Sequence, residues 1–187
     1  MESLTIIDTY LSELKNTIDA LSRKEIVQFS ELLEKTRQEG KRVIIFGNGG
    51  SGSTASHFAC DINKGVSLGK SKRYKVIALT DNIATILAYS NDLSYDDVFV
   101  EQMKNFIEEG DLIVGISGSG NSKNVLKAIE YANERGNFTV GLTGFSGGKL
   151  REISSLSINA NVNDMQISED IHMMLVHVLM KVLSRYD

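Results

Sequence analysis

Proline is absent from this chain of 187 residues, and cysteine occurs once. A single thiol excludes a disulfide framework and any metal site built from several cysteines. Without proline, most turns fall to the 16 glycines, so their positions carry information. No apolar run is long enough to span a bilayer, and nowhere do more than two Lys or Arg stand consecutively. Twenty basic residues are outnumbered by 24 acidic ones, for a formal net charge of −4. A binder of nucleic acid or of a membrane surface would carry a basic face, so neither partner is expected. The opening MESLTIIDTYLSELK is acidic and periodic, unlike a signal peptide, which points to a cytoplasmic protein.

What is there is ordinary globular material, 42% apolar and 24% charged, with no repeat or linker. One domain spanning 1–187 is expected. Leu4, Ile7, Leu11, Leu14, Ile18 and Leu21 step by three and four and draw one apolar stripe along a helix. Ile26, Phe29, Leu32 and Leu33 draw a second, ended by KTRQEGK at Gly40. Two such stripes exceed what one small sheet needs, so residues 1–40 read as a helical oligomerisation segment.

From 41 to 187 the pattern alternates. Short apolar runs stand at Arg42–Phe46, Tyr74–Leu79, Leu112–Ile116, Phe138–Leu142 and Leu156–Ile158. Helical stretches lie between them at Thr54–Ile62, Ile83–Ser90, Asp96–Glu108 and Asn124–Asn133, with a last one near Glu169–Ser184. The runs are continuous rather than alternating, so both faces of the sheet are covered. The expected fold is α/β: a three-layer, flavodoxin-like parallel sheet of five strands behind two N-terminal helices.

Two strand ends are rich in glycine and hydroxyls. After RVIIF comes Gly47-Asn48-Gly49-Gly50-Ser51-Gly52-Ser53, and after LIVGI comes Ser117-Gly118-Ser119-Gly120-Asn121-Ser122. Such loops let backbone N–H groups and hydroxyls reach an anion at a helix N-terminus, and they suit a phosphate. Gly47, Gly49 and Gly52 also fit G-x-G-x-x-G. The acidic residue a dinucleotide needs about twenty positions on is missing, since Asp81 stands more than thirty beyond Gly47. With no G-K-[ST] either, no nucleotide cofactor is expected.

Histidine is scarce, with three in the chain. His57 and Asp61 are four apart and share a helix face, and Cys60, one turn from His57, is a candidate third ligand. His172 and His177 lie on the last helix with Glu169 and Asp170. A histidine on an apolar helix is more often core than catalyst, but a histidine–carboxylate pair beside a phosphate loop shifts that balance. Glu169 and His177 are eight apart, about 12 Å along an ideal helix.

GNGGS followed by SHFACD, then ISGSGNSKNV, then EDIHMMLVH, resembles the sugar isomerase (SIS) family, and within it the phosphoheptose isomerases. The resemblance implies tetramers with active sites at subunit interfaces. It implies a sugar phosphate held by the two loops: by residues matching Asn48, Gly49, Gly50 and Ser51, and by those matching Ser117, Gly118, Ser119 and Ser122. Asp92 matches a further site aspartate. Residues matching His57, Asp61, Glu169 and His177 line the reacting end and bind zinc in several members. The chain departs from the usual pattern in four places: Asp61 for glutamate, Glu169 for glutamine, Gly118 for threonine and Gly65 for arginine.

Aldose–ketose interconversion moves a proton between adjacent carbons through an enediol and needs a base and an acid on one face. Asp61 suits the base and His177 the acid. Zn²⁺ held by His57, Asp61, Glu169 and His177 is the expected cofactor. Some SIS proteins are instead regulators, including tetramers that bind a replication initiator, and those lack the final histidine. His177 favours an isomerase acting on a heptose phosphate.

Overall fold

Alternate residues of the strands face opposite layers, and that alternation explains the unbroken apolar runs. In a computed structural model describing residues 2–186, the first strand is β1 (Val43–Gly47). Val43 and Ile45 face one core while Ile44 and Phe46 face the other. With β2 (Val76–Ala78), β3 (Leu112–Ser117), β4 (Phe138–Gly144) and β5 (Leu156–Ala160) it forms an all-parallel sheet ordered β2-β1-β3-β4-β5. This is the flavodoxin-like order.

One face is covered by α2 (Arg23–Gln38), α3 (Gly49–Cys60) and α8 (Met165–Leu183). The other is covered by α5 (Val98–Lys104), α6 (Lys123–Glu134) and α7 (Gly148–Ile153). The second apolar stripe is absorbed by the chain itself, for Phe29 and Leu33 of α2 are fully buried against the sheet. That corrects the reading of both stripes as an assembly surface. α1 (Glu2–Ala20) is different. Its Leu4, Ile6, Ile7 and Leu11 are all more than half exposed, while Tyr10 reaches across to Asp170 of α8 at 2.6 Å. α4 (Ile83–Asp92) buries no residue, although Ile83 and Leu87 are large and apolar.

Several boundaries move from their expected places, each for a physical reason. α3 begins at Gly49 rather than Thr54, through a run of glycine and serine that helix propensity alone disfavours. Tertiary fit decides it, because a Cβ on Gly52 would lie 2.9 Å from the Gly47 carbonyl oxygen. The stretch 96–108 is shorter and preceded by a 3₁₀ turn at Tyr95–Asp97. α8 starts four residues early because the Asp164 carboxylate caps it, accepting the Ile167 N–H at 2.9 Å.

Candidate functional site

Open parallel sheets bind ligands beyond the strand carboxyl ends, where the strand order reverses. Here the reversal falls between β1 and β3, and both hydroxyl-rich loops leave from those strands. The first loop requires glycine at position 47. A Cβ there would stand 2.8 Å from Ser51 Cβ and 2.9 Å from the Ile116 carbonyl oxygen of the neighbouring strand.

Between the loops lies a cavity of about 280 Å³, bordered by Gly49, Gly50 and Ser51 on one side and Ser117, Ser119 and Ser122 on the other. Ser117 Oγ is 3.0 Å from Ser122 Oγ and 3.5 Å from Ser119 Oγ, so three hydroxyls cluster at one wall. Asn48 caps α3 and Ser122 caps α6, yet neither side chain bonds to its own helix. Helix N-termini carry partial positive charge and unpaired N–H groups, and those of α3, α6 and α8 converge here. Among the described residues lining this cavity, none is lysine or arginine. An anion here would be met by dipoles and hydroxyls, beside one acidic side chain, Glu169.

The second cluster lies two turns along α3. His57 Nε2 is 3.0 Å from His177 Nε2 and 3.4 Å from Asp61 Oδ2, with the imidazoles edge to face. Each residue offers a ligand atom within 4.8 Å of the others. Asp61 opens a π-helical turn (Asp61–Val66) that continues α3. Such turns recur at functional sites.

α3 and α8 lie side by side and run in the same direction. Gly50 faces Glu169, His57 faces His177, and Gly65 faces Met180. Glu169 is therefore not one of the metal-site group. Its carboxylate lies against Gly50 at the positive end of α3 and lines the serine-walled cavity. The helical rise separates it from His177, which explains the split.

Two methionines of α8 occupy space beside glycines. A Cβ on Gly65 would meet Met180 Cε at 2.6 Å, and one on Gly118 would collide with Met165 Sδ. Asp92 lies exposed at the end of α4, paired with Asn91 Nδ2 at 2.8 Å, and lines neither this cavity nor its neighbour. Cys60 is exposed and falls outside the His57–Asp61–His177 group. His172 is fully buried in the core, its Nε2 3.0 Å from the Thr143 carbonyl oxygen.

Sequence reasoning passed over Tyr95 and Asn124, which hold Asn48. Tyr95 Oη donates to Asn48 Oδ1 at 2.8 Å and Asn124 Nδ2 does so at 2.9 Å. The one signal for Asn124 was a polar residue in the first turn of an otherwise apolar helix face.

A parallel sheet with paired hydroxyl loops and a histidine–carboxylate trio defines an α/β domain whose site lies at the strand carboxyl ends. The chain belongs to the SIS domain family, whose pattern matches residues 9–144. It is 35% identical over 170 residues to a probable phosphoheptose isomerase of Thermoplasma acidophilum, covering 91% of this chain and 93% of that one. It is 33% identical over 186 residues to the phosphoheptose isomerase of Geobacter sulfurreducens, covering 96% and 98%. A solved phosphoheptose isomerase from Francisella tularensis superimposes with a TM-score of 0.91 at 27% identity, over 100% of both chains. No helix among the described residues is long and apolar enough to cross a membrane.

Proposed function

We propose that the protein is a cytoplasmic isomerase interconverting sedoheptulose 7-phosphate and glycero-manno-heptose 7-phosphate. Relatives named phosphoheptose isomerase, 33–35% identical over more than nine-tenths of the chain, support the activity. The observation that carries the chemistry is the placement of two sites along α3. From Gly50 to His57 the helix rises about 10 Å, comparable with an extended seven-carbon chain ending in a phosphate. With the phosphate between the serine loops, the other end of the sugar reaches Asp61 and His177.

Asp61 takes the proton from the carbon next to the carbonyl, and His177, where no metal holds its Nε2, hands one to the neighbouring oxygen as the enediol forms. Reversal of the two transfers, on adjacent carbons, completes the exchange. Each positioned acid or base contributes roughly 10²–10⁴-fold. His57 keeps Asp61 and His177 on one face by its contacts with both. Incubation with sedoheptulose 7-phosphate, with and without added zinc, tests the reading by aldose formation. No turnover in either case overturns it and leaves a non-catalytic, regulatory SIS module.

Ser119→Ala and Ser51→Ala are each expected to raise KM about tenfold or more, since each removes a hydrogen bond to a charged group. Unchanged KM in both would put the phosphate elsewhere.

The donor set fits a divalent ion. A tetrahedral zinc with bonds of 2.0–2.1 Å holds its ligand atoms roughly 3.3 Å apart; His57 lies 3.0 Å from His177 and 3.4 Å from Asp61, and all three ligand atoms fall within 4.8 Å of one another. We assign zinc to His57, Asp61 and His177, three ligands with a coordination position left open, as catalytic zinc sites have. Zinc there would occupy His177 Nε2 and, in place of its proton, stabilise negative charge on the enediolate oxygens. Metal analysis is expected to find about one equivalent of zinc, lost in His57→Ala and retained in Glu169→Gln. Loss in both would restore Glu169 as a ligand, and absence from the parent would leave acid–base catalysis alone.

The exposed apolar faces of α1 and α4 fit a second copy of the chain, and a homotetramer with Asp92 at a subunit boundary is the arrangement we propose. Light scattering at micromolar concentration is expected to give four times the 20.6 kDa chain mass. A monomer would sink it.

A further inference from the structure

Asn48 is the N-cap of α3, where asparagine ordinarily bonds to its own helix. Here the amide is turned away and held by two other residues, and the bonding fixes which of its atoms is which. In the first turn of α6 the Val125 N–H donates to Asn124 Oδ1 at 2.9 Å. A backbone N–H can only donate, so that atom is the oxygen of Asn124. Asn124 is 2% exposed, and its Nδ2 donates to Asn48 Oδ1 at 2.9 Å. Asn48 Nδ2 returns a bond of 2.9 Å to Asn124 Oδ1. Tyr95 Oη adds a second donor to Asn48 Oδ1 at 2.8 Å.

Both lone pairs of Asn48 Oδ1 are then used, and one Nδ2 hydrogen has no partner among the described residues. Asn48 borders both the serine-lined cavity and a neighbouring one of about 270 Å³ that Tyr95 also lines. A flipped Asn48 amide would set Nδ2 against Nδ2 of Asn124 and lose both bonds of the pair. We infer that Asn124 and Tyr95 are positioning residues that commit Asn48 to offer an N–H donor, and never an acceptor, to an oxygen of the bound sugar phosphate. The same diversion keeps the Asn48 side chain off the first N–H groups of α3. This deepens the isomerase reading and rests on it for the identity of the ligand.

The clean variant is Asn124→Asp, which keeps an acceptor for the Val125 N–H, and so the helix start, but removes the donor to Asn48. It is expected to melt near the parent temperature while KM for sedoheptulose 7-phosphate rises about tenfold and kcat stays within about threefold. Asn124→Ala is expected to raise KM similarly without adding charge, and Tyr95→Phe about threefold. In an Asn48→Ala background, Asn124→Ala is expected to add nothing. Full additivity of the two changes would overturn the inference, because Asn124 would then act independently of Asn48.

A substrate-free readout separates this from failure of the isomerase reading. In protein carrying ¹⁵N-asparagine, the Asn48 side-chain resonances are those that vanish in Asn48→Ala. One of its two Nδ2 hydrogens is expected to exchange slowly, and that protection to disappear in Asn124→Ala. Two fast-exchanging hydrogens in the parent would overturn the lock, whatever the enzyme turns over.

Discussion

Replacing His177 with asparagine is expected to lower kcat for heptose phosphate isomerisation by about 10²–10⁴-fold, with KM changed far less. The imidazole stands 3.0 Å from His57 and two turns of helix from the serine-lined cavity, so its loss removes the proposed proton donor and zinc ligand without touching the serine loops. Steady-state kinetics on parent and variant, each with and without added zinc, check this. A kcat within tenfold of the parent would assign the acid role to another group. Asp61→Asn is the companion variant, since an amide cannot accept the substrate proton.

The second large effect concerns stability. His172 is fully buried, and its Nδ1 has no hydrogen-bond partner among the described residues. Burial pushes its pKa down to about 4, against a weaker opposing pull from the Thr143 carbonyl bond. The unfolded chain would bind a proton near pH 6.5, where the native state does not. The contribution is therefore intact above pH 6.5 and lost as pH falls toward 4. With about 1.36 kcal/mol per pKa unit, the loss is roughly 3 kcal/mol by pH 4. Urea unfolding at pH 7 and pH 4 measures it against His172→Gln, which keeps an N–H donor but does not titrate. Identical pH dependence in the two proteins would remove His172 as the cause.

The sheet was legible because burial on both faces forces continuous apolar runs, and those at β1, β3 and β4 leave no second interpretation. The loops were legible for a related reason, since glycine and hydroxyls at strand ends have few structural substitutes. What the sequence did not reveal came from tertiary contacts. The glycine-rich start of α3 looks like coil by propensity, and the fit against Gly47 makes it helix. The partition of the candidate ligands depended on how α8 lies on α3, and neither helix encodes that direction on its own. The fate of the second stripe depended on Phe29 stacking with Phe58, ring centroids 6.4 Å apart, a pairing between residues far apart in the chain.

The shared direction of α3 and α8 has a consequence for selectivity. A ruler made of two rigid rods measures its ligand by the gap between its end marks, without any residue touching the middle. On this reading a triose or tetrose phosphate docks by its phosphate but leaves its carbonyl short of the histidines, so it occupies the protein without reacting. Discrimination by length would then be a property of helix rise, and substitutions along the central surface of the two helices would leave it intact. Only a change in the register of one helix against the other would reset the scale.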